Sequence, residues 1–348
     1  MVTELKSRPV TSQPASELLA WSRAAIDSAL RAAVAQLPAS MRRIAGYHFG
    51  WWDGAGTPTD GSAGKAVRPA LVLLSARAVG GDADAAIPAA VAVELVHNFS
   101  LLHDDVMDHD RVRRHRATAW TVFGVADAIL AGDALLALAA QCLAEAGQAS
   151  CASGVRMLSR CVAELCHGQS LDISFEQRDR IEMDECLAMS AAKTGALLGC
   201  ACSLGALAGG ATATQVGLLG DFGRRLGLAL QLVDDLLGIW GDQLVTGKQV
   251  YSDLMSRKKS LVVTAAMNSG TEPGQMLAEL YQRPEPFEPG ELPHLARLIE
   301  KAGAREWAQG QAAREITAAA ESLAAANCEP EGTAALREVA RLLATRDR

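Results

Sequence analysis

The chain has 348 residues, 49% of them hydrophobic, and a net charge of −7. That is enough apolar material for a sizeable globular core, in one large domain or two ordinary ones. The lysines and arginines are scattered among acids, which speaks against a nucleic-acid-binding surface.

Alanine and leucine are abundant, aromatics make up only 4%, and alternating Val/Ile stretches are scarce, so the expected fold class is all-α. Residues 1–15, with Pro9, Pro14 and several Ser and Thr, read as a flexible tail, and Ser16-Glu17 opens a helix to about Leu37. No apolar signal core precedes Ser16, so a cytoplasmic location is expected. Residues 46–63 form a glycine-rich connector carrying four of the fifteen aromatics, read as packing against a neighbouring helix, with a partner-contact patch as the alternative.

From Val67 onward the pattern is helix after helix, broken at Gly80-Gly81, near Gly124, at Gly209-Gly210 and around 241–260. Residues 281–293, with four prolines, form the longest loop, and 294–326 and 333–346 read as terminal helices. The expectation is a single helical domain over 16–348. The uncharged stretch 194–220 exceeds the roughly 20 residues that a bilayer needs. Its Gly209-Gly210 break and its Thr212, Thr214 and Gln215 suit two buried helices better, so no transmembrane segment is expected. The eight cysteines show no paired C-x-x-C spacing and read as reduced core thiols.

The chemistry starts at Leu101-Leu102-His103-Asp104-Asp105-Val106-Met107-Asp108. On a helix Asp104 and Asp105 both neighbour Asp108, and such like-charge pairs cost roughly 0.2–0.5 kcal/mol each. A hard divalent cation reverses that sign, and Mg²⁺ is usually held by one or two carboxylates plus substrate phosphates. The alternative is a solvated acidic helix face. A second pair, Asp234-Asp235, again ends an apolar helix, with Gln231 on the same face. If both helices belong to one bundle, their carboxylates can face each other, as in helix-bundle metal sites. Cationic residues recur at Lys65 and Arg68, Arg113-Arg114, Lys193, Lys248 and Lys258-Lys259. Acidic and cationic patches together could hold two polyanions, one through metal and one through direct Lys and Arg contacts.

With these motifs assembled, the chain from about 17 to 348 resembles the polyprenyl synthetase family of trans-isoprenyl diphosphate synthases. Asp104-Asp105-Val106-Met107-Asp108 resembles the family's first aspartate motif, DDxxD, and Gly64-Lys65-Ala66-Val67-Arg68-Pro69 its GGKRxRP. Arg113-Arg114, Gly168-Gln169-Ser170-Leu171-Asp172, Lys193-Thr194 and Gln231-Leu232-Val233-Asp234-Asp235 follow in the family's order.

The resemblance implies an all-α isoprenoid synthase fold around a central cavity and a Mg²⁺-dependent condensation of an allylic diphosphate with isopentenyl diphosphate. It implies that Asp104, Asp108 and Asp234 hold Mg²⁺, three ions in all with substrate bound. Arg113, Lys193 and Lys248 would add cationic contacts to the allylic diphosphate. Lys65, Arg68, His97 and Arg114 would bind isopentenyl diphosphate without metal. Thr194 and Gln231 would stabilise the allylic cation, and Asp105 and Asp235 complete the catalytic pairs. A lone histidine on an apolar helix is commonly a satisfied core residue. His97, however, lies two turns before Asp104 on the same face, and the resemblance makes it a substrate contact.

Two departures stand out. The last acid of the second motif is Gly238, which cannot bind metal, and Ala66 replaces an arginine. Chain-length control is expected at Phe99 and Ser100, which resemble short-chain synthases and favour a C20 product over C15. The competing readings are a class I terpene cyclase, which has no use for Lys65, Arg68 and Arg114, and a non-catalytic synthase subunit. The resemblance further implies a homodimer.

Overall fold

A computed structural model describes residues 13–59, 64–147, 150–241 and 250–344. The helices are α1 (Ala15–Ala35), α2 (Ala39–Phe49), α3 (Val67–Ala78), α4 (Ile87–Met107), α5 (Ala119–Phe123), α6 (Val125–Ala144), α7 (Cys151–Glu176), α8 (Met183–Ser190), α9 (Ala196–Ala208) and α10 (Ala213–Trp240). Between α8 and α9 lies a single π-helical turn, Ala191–Gly195. Helices Ser252–Met255, Leu261–Met267, Glu272–Gln282, Leu292–Lys301, Ala304–Ala325 and Pro330–Ala344 complete the chain. Among the described residues the sheet content is one hairpin, β1 (Val112–Arg113) and β2 (Arg116–Ala117). The all-α expectation is met.

Uncharged 194–220 is two helices turned at Gly209-Gly210, as its glycines imply. The expected helix 294–326 is instead two, because Gly303 takes a left-handed φ of 79° between Lys301 and Ala304. The first helix ends before Pro38 as expected, whereas α2, which Pro38 opens, takes in residues 46–49 of the expected connector. All eight cysteines are free.

The chain divides into two compact units. The first comprises Met1–Val162, Cys200–Gly220 and Leu323–Val339, the second Ala163–Gly199, Asp221–Ser322 and Ala340–Arg348. In the first, α3 is apolar apart from Arg68, Ser75 and Arg77 and is buried on nearly every side, as a central helix must be. Leu71, Leu73, Leu74, Leu95, Leu102 and Leu135 are fully buried there. In the second, Phe175, Ile181, Leu232, Ile239, Leu254, Leu261 and Ile299 form the core.

Three helical stretches, Asp84–Met107, Val125–Ala144 and Met183–Ala208, are long and apolar enough to cross a membrane by length and composition. The first and last are mostly buried, whereas only 33% of the apolar window of α6 is covered. Val122, Val125, Ile129 and Leu130 accordingly stand exposed on α5 and α6.

Candidate active site

In the first unit the acidic cluster ends α4, where the helix dipole is negative and added carboxylates are least welcome without a cation. The three aspartates are sorted by helical phase. Asp105 falls in line with the buried Leu102 and is itself only 1% exposed. Arg113 Nε donates to its Oδ1 at 2.6 Å, while its Oδ2 is buried without a hydrogen-bond donor among the described residues. Burial pushes the Asp105 carboxyl up to about 6 against the pull of Arg113. Asp104 and Asp108, one turn apart, lie on the accessible side.

Arg113 and Arg114 reach this region through the hairpin. Its two-residue turn, Arg114-His115, has φ of 51° and 61°, the left-handed pair of a type I′ turn that ordinarily calls for Asn or Gly. What holds the hairpin is Arg116, which donates to the carbonyls of Tyr47 and Trp52 at 3.0 Å each and lies over the Tyr47 ring. The aromatics before residue 60 are therefore packing elements. Tyr47 meets Phe123 edge-on, Phe49 stacks on Trp51, and Trp52 covers Gly46. Residues 60–63 lie outside the described residues.

The guanidinium of Arg114 lies over Gly64, where a Cβ would come within 2.9 Å of Nη2, so the glycine before Lys65 leaves room for it. In the first turn of α3, Arg68 Nη1 meets His97 Nε2 at 3.1 Å. Burial, and then the positive charge of Arg68, Arg114 and Arg113, keep the His97 imidazole well below its ordinary range and hence neutral. Glu94, 5% exposed, takes a hydrogen bond from Asn98 Nδ2 at 3.1 Å, and burial pushes its carboxyl up against the opposing pull of Arg68, Arg114 and Arg23. Phe99 is buried edge-on against His103, with centroids 4.7 Å apart. The His103 ring is fixed by the Ile129 carbonyl at 3.0 Å and fills the space beside Gly132. Ser100 turns its hydroxyl back to the His97 carbonyl at 2.8 Å.

In the second unit the π turn carries Lys193 and Thr194. Gly168 of α7 packs directly on the Lys193 backbone, and a Cβ there would be 2.5 Å from its nitrogen. Lys193 Nζ donates to Asp172 Oδ2 at 2.6 Å, a pair largely shielded from solvent. Gly195 and Gly227 cross so closely that a Cβ on Gly227 would lie 2.6 Å from Gly195 Cα. That crossing brings Thr194 Oγ1 to Gln231 Oε1 at 2.7 Å. Gln231 Nε2 in turn donates to Asp235 Oδ1 at 2.7 Å, and the Leu261 amide to Asp235 Oδ2 at 2.8 Å.

Asp235, 3% exposed, is thus turned into the core. Burial pushes it up to about 7, Lys258 opposing and Asp253 adding to the shift. Asp234 points outward. Lys259 donates to the carbonyls of Phe175, Glu176 and Arg178 and so caps the end of α7. Lys248 lies outside the described residues.

Each unit offers donors suited to a hard divalent cation. Asp104 and Asp108 in the first and Asp234 in the second offer oxygen alone, and among the described residues no three His, Cys, Asp or Glu side chains gather into a closed cage. Mg²⁺ asks for little more, since it keeps waters and takes phosphate oxygens. A carboxylate also lies against the gap at Gly238, where a Cβ would be 2.3 Å from Asp253 Oδ2. Glu94, Asn98 and Asp253 carry no signal in the sequence, because the first two sit in an apolar helix and the last in a segment without periodicity.

A helical scaffold holding paired aspartates, a guanidinium cluster and a Lys-Thr turn defines a class, and a family model confirms it. The polyprenyl synthetase model matches residues 57–299, and the chain belongs to that family; it is a trans-prenyltransferase. It is 44% identical over 324 residues to a (2E,6E)-farnesyl diphosphate synthase of Mycobacterium bovis, covering 92% of this chain and 90% of the relative. A geranylgeranyl diphosphate synthase of Mycobacterium tuberculosis is also 44% identical, over 315 residues and 90% of each chain. The crystal structure of a polyprenyl synthetase from Streptomyces coelicolor superposes with a TM-score of 0.91 at 48% identity, covering 94% of this chain and 98% of that one.

Proposed function

We propose that the protein condenses an allylic diphosphate with isopentenyl diphosphate in a Mg²⁺-dependent reaction to give a short-chain trans-polyprenyl diphosphate, C20 in preference to C15. The observation that carries this reading is the sorting of charge in the first unit. Two accessible carboxylates, Asp104 and Asp108, end the same helix whose earlier turns hold His97 against Arg68. A cyclase that takes a single diphosphate has no use for the second, metal-free set.

Asp104, Asp108 and Asp234 are the proposed Mg²⁺ ligands. Bound there, the metal supplies positive charge to the leaving diphosphate as it ionises. Arg113 and Lys193 add fixed positive charge on the allylic side, together with Lys248. Lys65, Arg68, His97 and Arg114 hold isopentenyl diphosphate, with neutral His97 free to donate one hydrogen bond. Thr194 Oγ and the Gln231 side-chain oxygen offer dipoles to the allylic cation, and their mutual hydrogen bond fixes where those dipoles point. The new bond forms as the isopentenyl double bond attacks the cation, and the released diphosphate takes the proton.

Relatives named for C15 and for C20 products are equally similar, so the choice between them rests on Phe99 and Ser100. Each added five-carbon unit gains about 4 kcal/mol of burial at roughly 0.8 kcal/mol per carbon, so elongation must be stopped by a steric floor. Phe99, braced by His103, is stiff enough to be that floor. The exposed apolar face of α5 and α6 supports a homodimer, and eight free thiols support a cytoplasmic setting.

Incubation with geranyl or farnesyl diphosphate, isopentenyl diphosphate and Mg²⁺ tests the whole reading. A C20 product that requires both substrates is expected, and Phe99→Ala shifts it to longer chains. Product from the allylic substrate alone would mean a cyclase, and an unchanged spectrum in Phe99→Ala would remove Phe99 as the floor.

A further inference from the structure

Ala66 leaves the first unit without a cation where the motif it resembles has an arginine, and α1 brings one to the same short segment. Leu18, Leu19, Ser22 and Ile26 form the buried face of α1, and Ser22 Oγ lies 3.3 Å from the Ala66 carbonyl oxygen. That contact seats the helix beside the entry to α3 and carries the next residue, Arg23, to its edge. Arg23 Nη2 donates to the Gly64 carbonyl. Gly64 therefore meets two guanidinium groups, Arg23 at its carbonyl oxygen and Arg114 over its Cα, where a Cβ would come within 2.9 Å of Nη2.

The charges gathered there do not balance. Arg23, Arg68 and Arg114 are all drawn to the one carboxyl of Glu94, which burial pushes toward its neutral form, while Asp105 holds Arg113. Arg23 and Arg114 lie close enough to repel each other. Arg23 is exposed, and among the described residues no carboxylate pairs with it. Clipping a single carbonyl needs only a neutral donor. A further guanidinium beside Arg68 and Arg114 adds like-charge repulsion, which a bound polyanion converts into attraction.

We infer that Arg23 is a further binding residue for the diphosphate of isopentenyl diphosphate, a third guanidinium beside Arg68 and Arg114. The inference rests on the proposed reading of that cluster as the metal-free diphosphate site. Arg23 precedes the segment 57–299 that the family model matches, and a lone arginine on an amphipathic helix carries no motif. Its place becomes visible only where α1 meets Ala66.

The test is calorimetric titration of the full chain with isopentenyl diphosphate in EDTA, alongside thermal melting. Arg23→Gln keeps a donor for the Gly64 carbonyl but removes the charge, and it should weaken binding about tenfold, the size of one charge-assisted hydrogen bond, with melting unchanged. Arg23→Lys keeps the charge and should retain most of the affinity. In turnover with Mg²⁺, Arg23→Gln should raise the KM for isopentenyl diphosphate by a similar factor and leave the KM for geranyl diphosphate in place. Wild-type affinity in Arg23→Gln, or an equal rise in both KM values, would overturn the inference and make Arg23 a clip on the loop. Arg114→Gln separates the two levels. If it binds isopentenyl diphosphate in EDTA as the wild type does, the reading of the metal-free site fails. If it loses that binding while Arg23→Gln keeps it, only the role of Arg23 fails.

Discussion

The end of α4 and the last turns of α10 carry the same dipeptide, Asp-Asp, and each uses its two members differently. In both, the first aspartate faces outward and the second is buried, because consecutive helical residues point about 100° apart and cannot share a face. The buried members then diverge. Asp105 has a cation, Arg113, which is 29% exposed. Asp235 takes hydrogen bonds from an amide side chain and a backbone N–H, with the charge of Lys258 favouring its ionised form. An aspartate pair is thus one candidate ligand and one anchor, and the anchor in the first unit orients an arginine, whereas in the second it ties the Thr194-Gln231 dipoles to the helix that follows.

The strongest challenge to that division is to remove the outward acids. Asp104→Ala and Asp234→Ala should each lower kcat about a thousandfold by removing charge stabilisation at the leaving group, with thermal melting unchanged. Near-normal turnover of either variant in saturating Mg²⁺ would make that aspartate an ordinary surface residue.

Removing the anchors should do the reverse and cost stability first. Asp235→Ala leaves two buried donors without an acceptor and should lose about 2–4 kcal/mol in urea unfolding. Asp105→Ala should lose less, about 1–2 kcal/mol, since Arg113 can regain water. The opposite order would break the contrast between the two anchors.

The last effect concerns acid. His48, close to Arg114 and Arg113, is pushed down to about 3 by burial and then by their charge. It stays neutral when folded and takes a proton near 6.5 when unfolded, so its contribution is intact above about pH 6.5 and is lost as the pH falls. Between pH 6.5 and 5 the wild type should lose about 2 kcal/mol that His48→Gln does not lose. Asp235, raised when folded, works in the opposite direction, being destabilising as the pH rises through about 7. Parallel stability profiles for wild type and His48→Gln would show that the imidazole is not held neutral.

Much of this was legible from residue order. Helix period and glycine breaks located most elements, and the motifs specified the family because several chemically distinct signals recur in sequence. The inward turn of Asp105 was latent in its phase with Leu102, but a motif read as a string of acids hides it. The hairpin was not legible, since Arg114-His115 is no ordinary turn pair and its support comes from Arg116 reaching carbonyls some 64 to 69 residues away. Asp253 was invisible for a similar reason: its relation to Gly238 exists only as a distance.

The π turn at Ala191–Gly195 carries one residue more than a regular helix needs there. Losing that residue by deletion would leave α8 and α9 as one unbroken α-helix with better hydrogen bonding. It would also rotate Lys193 and Thr194 by about 100° relative to one flank, away from Asp172 and Gln231. A sturdier and idle version of this helix is therefore one codon away, and selection for stability alone would find it.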